Sequence, residues 1–332
     1  MDTPPLRVAL VPGALTGVGP QLLLKALVSY QHNDSIKFLW CGSAQTIHLG
    51  AQHADITLDF LSDSCAKINR DLSIEFFDDV PVRSSVEQQA EFLKKATSLA
   101  KSQAIDALVT GPIDKACLKY LDDGTYHGQT EYFARHLAKD QHKPFMAFMG
   151  GPFLMSLLTT HLPLRRVADA LSIDAVVHHV ETVAHLAGQA LAKSVADLKI
   201  AVLGLNPHAG ESGLIGHEEN EIIIPAIKTL RDRGINTAGP LAADGFFAYF
   251  HRMPKADTFD VVVAMYHDQG LIPYKLLAQG QAVNVTLGLT IPRTSPAHGT
   301  ANELVGKQLA CHQSTAKAID LAIALASHSR SI

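Results

Sequence analysis

Three histidines in this chain each follow a short apolar run and open a polar turn. They are His161 in LLTTHLPL, His208 in AVLGLNPHAGESG and His267 in VVVAMYHDQG. Apolar runs of this length, bounded by Pro, Gly, Asn or Asp, read as buried strands. A histidine just past such a strand stands at the carboxyl edge of a sheet, where ligands gather in open α/β proteins. Neutral imidazoles converging there make an open divalent-metal site, with positions left for water or substrate. The chain has 17 histidines, so residue type alone singles out none of them. The repeated order of strand, histidine and polar turn does. Ten others, His32, His142 and His179 among them, lie in polar or helical contexts and read as surface or helix-packing residues.

A second set of residues suits an anion. TGPIDKACL sets Lys115 at a strand-to-helix turn, and HGQTEYF sets Thr130 at an N-cap beside open helix amides, with Gln129 next to it. Simple capping is the plain alternative. Lys275 follows His267 in DQGLIPYKLL and reaches either an anion near the metal or only solvent. NVTLGLTIPRTSPAHGTANELVG carries Asn284, Arg293 and His298 in one connection after a strand. Arg293, between Pro292 and Pro296, reads as a residue of a stiffened loop whose fork of donors suits phosphate or carboxylate. Near the N-terminus LVPGALTGVGP has a strand, glycine turn and helix, but not the G-x-G-x-x-G spacing. No G-x-S-x-G elbow, H-E-x-x-H or P-loop occurs. A metal beside an anion pocket serves hydrolysis, aldol cleavage, or alcohol oxidation followed by decarboxylation. The residues leave these three open.

The elements that must carry these groups alternate. RVALV, IKFLWCG, IDALVTGP, LKIAVLGLNP, FDVVVAMYH and AVNVTLG read as strands. Helical periodicity runs through GPQLLLKALVSY, SSVEQQAEFLKKATSLAKSQ, a helix from Thr130, Leu164–Leu171, Asp174–Ser194, GHEENEIIIPAIKTLRDRG, LAADGFFAYF and a last helix from Ser314. Such alternation with continuous apolar strands predicts an α/β fold with a mainly parallel sheet covered on both faces. FMAFMGGPFLMSLL reads as an antiparallel hairpin and an entry to a second domain. The expected division is residues 1–125 with 295–332, and residues 126–294 carrying the metal and substrate groups.

At 332 residues, 47% hydrophobic and 18% charged, the chain is that of a well-packed protein of two domains or one large α/β unit. Net charge is −4, and no basic cluster suggests nucleic acid. No apolar stretch spans a bilayer and no signal peptide opens the chain. Cys41, Cys65, Cys117 and Cys311 have no zinc or redox spacing. A cytoplasmic enzyme is expected, with no membrane or nucleic-acid partner.

TTHLPL, GLNPHAGESG, MYHDQGL, VNVTLGL and RTSPAHGTA, in this order, resemble the 4-hydroxythreonine-4-phosphate dehydrogenases of pyridoxal phosphate (pyridoxine) biosynthesis. The resemblance covers nearly the whole chain. It implies a two-domain α/β/α fold like the isocitrate and isopropylmalate dehydrogenases, and a homodimer with its active site at the subunit interface. It implies metal ligands His161, His208 and His267, with zinc, magnesium or cobalt as the divalent metal. Substrate-binding positions carry over to Gln129, Thr130, Lys275, Asn284 and Arg293. HGTANELVG is similar to the superfamily loop that holds the adenine end of NAD, which implies cofactor contacts for His298, Gly299, Thr300 and Ala301 with NAD or NADP. The implied oxidoreductase reaction oxidises 4-phosphohydroxy-L-threonine and decarboxylates the product. Asp268 and Lys115 are candidates for proton transfer, and Asp268 is alternatively an orienter of His267. Two departures bear on the substrate. Many members read G-H-T-E where this chain has Gly128-Gln129-Thr130-Glu131, and an acidic residue of the N-terminal turn is replaced by Ala14. A paralogue acting on threonate or erythronate 4-phosphate, and a metal-dependent hydrolase, are the competing readings.

Overall fold

The protein is described by a computed structural model covering residues 4–30, 35–62, 64–68, 72–77, 84–139, 144–254 and 258–330. His32 and His142 lie outside these residues. In chain order the elements begin β1 (Leu6–Val11), α1 (Gly19–Val28), β2 (Ile36–Trp40), α2 (Ala44–Ala54), β3 (Asp59–Ser62), β4 (Cys65–Lys67), β5 (Ser73–Phe76), α3 (Ser85–Lys101), β6 (Ala107–Thr110) and α4 (Gln129–Leu137). They continue with β7 (Phe145–Met149), β8 (Leu154–Leu157), α5 (Ile173–Leu191), β9 (Ile200–Leu203), α6 (Ile224–Asp232), β10 (Thr237–Leu241), α7 (Ala243–Tyr249), β11 (Val261–Ala264) and α8 (His267–Leu277). The last are β12 (Val283–Leu287), β13 (Arg293–Pro296) and α9 (Gln313–Arg330).

The chain divides into two compact units, Met1–Phe145 with Gly280–Ile332, and Met146–Gln279. Residues 126–145 and 280–294, which the sequence reading grouped with the second domain, fall in the first unit. The reason is strand pairing. β12 and β13 pair antiparallel, and β13 joins β6 in parallel, so this return of the chain completes the first sheet.

In the first unit the strand order is β12-β13-β6-β1-β2-β5-β4-β3. The run from β13 to β5 is parallel, and β3, β4 and β12 are antiparallel to their neighbours. Side chains alternate across a strand, so both faces of β1 need cover. Ala9 and Val11 join Leu108, Phe92, Leu93 and Phe133 in one core cluster under α3 and α4. The helix α9 packs against β1, β6, β12 and β13. Ser84 starts α3 with a capping box. Its hydroxyl accepts from Glu87 N, and the Glu87 carboxylate accepts from Ser84 N.

In the second unit the order is β10-β9-β11-β8-β7. β10, β9, β11 and β8 are parallel, while β7 and β8 form the expected antiparallel hairpin. The expected helix over Leu164–Leu171 is instead two single 3-10 turns, Leu164–Arg166 and Ala168–Ala170. Val167 and Leu171 are buried there, while Leu164 is 70% exposed. The stretch GHEENEIIIPAIKTLRDRG begins as a wide π turn over Glu219–Ile223 and becomes α6 only afterwards. Among the described residues no helix is long and apolar enough to cross a membrane.

Candidate active site

A cavity of about 210 Å³ opens in the first unit. Six residues singled out in the sequence line it: Lys115, Gln129, Thr130, Asn284, Arg293 and His298. Strand pairing assembles this wall. Asn284 on β12 stands opposite Ser295 on β13, and Thr286 stands opposite Arg293. Arg293 in turn is level with Leu108 on β6, two residues before Thr110. The four side chains Asn284, Thr286, Arg293 and Ser295 therefore share one face of the sheet. Gly128 closes the cavity where α4 begins.

Arg293 is not on a loop. It opens β13 and is 2% exposed. The flanking prolines did not signal this, because the antiparallel β12 and the parallel β6 hold the segment from both sides. Among the described residues its guanidinium hydrogen-bonds only to neutral oxygens. Nε and Nη2 donate to Thr110 Oγ1 at 3.1 and 2.6 Å. Nη1 donates to Thr130 Oγ1 at 3.3 Å and Thr286 Oγ1 at 3.2 Å. Nη2 also meets Gln129 Oε1 at 3.4 Å. The guanidinium carbon lies 5.7 Å from the centre of the Phe133 ring. Burial lowers the guanidinium pKa to about 10, so the group stays charged at neutral pH. A buried cation with neutral partners keeps its charge available to a ligand anion.

Thr130 is not the helix cap. Gly128 occupies that position without a side-chain cap, and Thr130 is the second helical residue. Its hydroxyl is turned to Arg293 instead. Gln129 donates from Nε2 to Gly111 O at 3.1 Å. Its amide is thus committed at both ends, to a backbone carbonyl and to Arg293. Lys115 lines the cavity with an otherwise exposed side chain. Lys275 is exposed in the last turn of α8, in the second unit, and does not line this cavity.

The loop at His298–Ala301 leaves β13 and packs on the N-terminal turn. Val18 N donates to Thr300 O at 2.9 Å. Gly17 permits this approach, because a Cβ there would stand 2.8 Å from Thr300 O. Gly13, with φ +78°, lets the β1 exit lie against Pro112 even more closely, since a Cβ there would overlap the Pro112 carbonyl oxygen. Ala301 is left-handed, with φ 43°, and Gly299 faces open space. Within the loop His298 Nδ1 bonds Gly299 O at 2.9 Å. Ala14 is 1% exposed, so the side chain at this departure position is packed away.

The histidines stand at the carboxyl edges of three adjacent parallel strands of the second unit, β8, β11 and β9. Thr159 ties two of these exits together. Its hydroxyl donates to Met265 O at 2.7 Å, and the His161 and His267 ring centres lie 6.0 Å apart. Gln269, not singled out from the sequence, ties the third. It accepts from Met265 N at 2.7 Å and donates to Gly204 O at 2.6 Å. His208 lies beyond, its Nδ1 4.0 Å from Asp244 Oδ2. Among the described residues no group of three or more His, Cys, Asp or Glu side chains is close enough to hold a metal ion. The donor set still has the chemistry of a metal centre, with exposed or half-buried imidazoles at one sheet edge. Asp268 Oδ1 holds His267 Nδ1 at 2.6 Å. A carboxylate only accepts, so Nδ1 carries the proton and Nε2 presents its lone pair. That contact favours Asp268 as an orienter of His267.

His208 opens an unusual turn. His208, Ala209, Gly210, Glu211 and Ser212 are all left-handed, with φ of 54°, 51°, 76°, 43° and 60°. The buried Glu219 carboxylate braces its base. Oε1 accepts from Leu205 N at 2.7 Å and Asn206 N at 2.8 Å, and Oε2 accepts from Asn206 Nδ2 at 2.9 Å. Glu218 also accepts from that amide, at 2.7 Å. Nothing in the periodicity of GHEENE distinguishes the bracing glutamate from a solvated one.

Residues 39–322 match the family described as pyridoxal phosphate biosynthetic protein PdxA. A relative from Xanthomonas oryzae pv. oryzae, named 4-hydroxythreonine-4-phosphate dehydrogenase, is 37% identical over 96% of this chain and 98% of its own. One of the same name from Bacteroides thetaiotaomicron is 34% identical over 97% of this chain and 89% of its own. The crystal structure of 4-hydroxythreonine-4-phosphate dehydrogenase from Klebsiella pneumoniae is similar with a TM-score of 0.76 and 30% identity, covering 97% of this chain and 99% of that one.

Proposed function

The chain belongs to the PdxA family of pyridoxal phosphate biosynthetic proteins, and on that premise we propose that it oxidises and decarboxylates 4-phosphohydroxy-L-threonine. C3 gives up its hydrogen as a hydride to NAD or NADP, and the C3 hydroxyl loses a proton to a base. The resulting β-keto acid releases carbon dioxide and takes up a proton, giving 3-amino-2-oxopropyl phosphate. The observation that carries this reading is the anion cavity, where a buried, charged Arg293 meets the open N-terminus of α4.

The chain's own groups divide the work. Arg293, Asn284, Thr130 and the first amides of α4 bind the phosphate, with Gln129 beside them. Lys275 is assigned to the same substrate. Lys115, at the cavity wall, is the candidate for proton transfer. Asp268 orients His267. His298, Gly299, Thr300 and Ala301 form the cofactor side, anchored to the N-terminal turn through Thr300. His161, His208 and His267 would hold a divalent metal, zinc, magnesium or cobalt. Such an ion supplies Lewis acidity toward the reacting oxygen. The exposed apolar side chains Leu162, Leu164, Leu214, Ile272 and Leu276 fit a homodimer interface formed by the second unit. Four free thiols suit a reducing cytoplasm.

One observation favours a second substrate of the same class. Among the described residues no acidic side chain lines the cavity, and Gln129 is neutral. A four-carbon sugar-acid phosphate, threonate or erythronate 4-phosphate, needs no partner for an ammonium group. The test is turnover by purified protein of both phosphorylated acids with NAD or NADP and a metal series. It is read at the nicotinamide absorbance band and by mass of the product. Reduction of the nicotinamide with loss of carbon dioxide from 4-phosphohydroxythreonine supports the proposal. Release of phosphate without nicotinamide reduction points to a hydrolase and overturns it.

A further inference from the structure

We infer that Thr110 is a positioning residue that aims the Arg293 fork into the anion cavity. The inference rests on the reading of that cavity as the substrate's anion site. Thr110 ends β6 and is 0% exposed. Its hydroxyl oxygen takes two bonds from the same guanidinium, Nε at 3.1 Å and Nη2 at 2.6 Å. Thr286, opposite Arg293 in the sheet, takes Nη1 from the other side at 3.2 Å. Both holders are β-branched and sit on buried strands, so their rotamers are stiff. A guanidinium carries five N–H donors, and the structure finds an oxygen for each.

The five bonds are unequal. The tight Thr110 contact grips the edge formed by Nε and Nη2. The longest contacts, Gln129 at 3.4 Å and Thr130 at 3.3 Å, lie on Nη2 and Nη1 at the cavity-lining start of α4. An arriving oxyanion takes an N–H from each of these terminal nitrogens, displacing the weak neutral acceptors. That is the parallel two-point geometry in which arginine binds phosphate and carboxylate. Thr110 contributes by preventing rotation of the planar group, with no contact to the ligand.

The probe is inorganic phosphate as a competitive inhibitor against the phosphorylated substrate. Thr110→Val keeps the shape of the side chain and removes the acceptor. It should raise the phosphate inhibition constant and the substrate KM together, by about ten- to a hundred-fold, because the two charge-assisted bonds lost orient the fork without touching the ligand. kcat should change much less. Thr110→Ser, which restores the oxygen, should return both constants to near wild type. Thr110→Ala leaves room for a water and should give a smaller rise in the same direction, and it serves if the valine variant does not fold. Wild-type phosphate inhibition in folded Thr110→Val or Thr110→Ala protein overturns the inference alone. Absence of phosphate competition in the wild-type enzyme overturns the cavity reading and the inference with it.

Discussion

Replacing Glu219 with Gln should release the turn that carries His208. Four residues other than glycine in that turn are left-handed, at about 1–2 kcal/mol each, or about 4–8 kcal/mol together. The Glu219 carboxylate accepts three hydrogen bonds. Bonds to a charged acceptor contribute about 1.5–3 kcal/mol each, about 5–9 kcal/mol in all. The two sums nearly balance, so the turn depends on its brace. In Glu219→Gln the amide oxygen can keep Leu205 N and Asn206 N at neutral strength. The new NH₂ then faces Asn206 Nδ2, donor against donor. Flipping the Asn206 amide would turn its oxygen toward the Glu218 carboxylate, which now accepts from it at 2.7 Å. The net loss is about 3–5 kcal/mol. Native-state hydrogen exchange at the Leu205 and Asn206 amides reads this directly, and exchange should accelerate by about two to three orders of magnitude. Affinity for a divalent metal, measured by titration, should fall by about 10- to 100-fold, as expected for loss of a ligand's support. Unchanged exchange at both amides would refute the bracing role, and unchanged metal affinity would separate the turn from the metal site.

Other expectations follow from the same geometry. Arg293→Ala should raise KM for the phosphorylated substrate at least about a hundred-fold with a smaller change in kcat, because it removes the cavity's buried cation; steady-state kinetics with an unchanged KM would remove Arg293 from the site. Gly17→Ala puts a methyl 2.8 Å from Thr300 O, so KM for the nicotinamide cofactor should rise more than KM for the substrate, and equal rises would detach this loop from the cofactor. His179, bonded to Ser156 at 2.9 Å, has its imidazole pKa lowered to about 4, first by burial and then by the nearby His178. Its folded value lies below the ordinary value of about 6.5, so the unfolded chain binds the proton first, and stability is lost as pH falls from about 6.5 to about 4, by at most about 3 kcal/mol. Denaturation midpoints across that range should fall less steeply in His179→Gln, and an identical slope would exclude His179 as the source.

Much of the architecture was legible in the chain because its signals are local. Apolar runs marked β1, β2, β6, β9, β11 and β12, and the Gly-Gly-Pro turn marked the β7–β8 hairpin. The strands β3, β4, β5, β10 and β13 were not legible, because they are short and mix polar residues with apolar ones. Leu164–Leu171 has helix-like spacing, but only Val167 and Leu171 are buried and the segment folds as two 3-10 turns. Arg293 looked like a loop residue because proline flanks it, and strand pairing on both sides overrides that local signal.

The site divides along the same line. Strand-end position singled out His161, His208 and His267, while residue type, turn context and the family pattern singled out six residues that line the anion cavity. Which side chains brace them was decided only by the tertiary structure. Thr110 is adjacent to Arg293 through a parallel register between β6 and β13, 183 positions apart in the chain. Glu219 reaches Leu205 and Asn206, at the base of the left-handed turn, from 14 and 13 positions away. Gln269 links two strand exits by a contact to Gly204 that spans 65 positions. Threonine, glutamate and glutamine are common surface residues, and only burial and register turn them into supports. The chain's local pattern marked candidate positions at strand ends and turns, and long-range packing decided which side chains hold them.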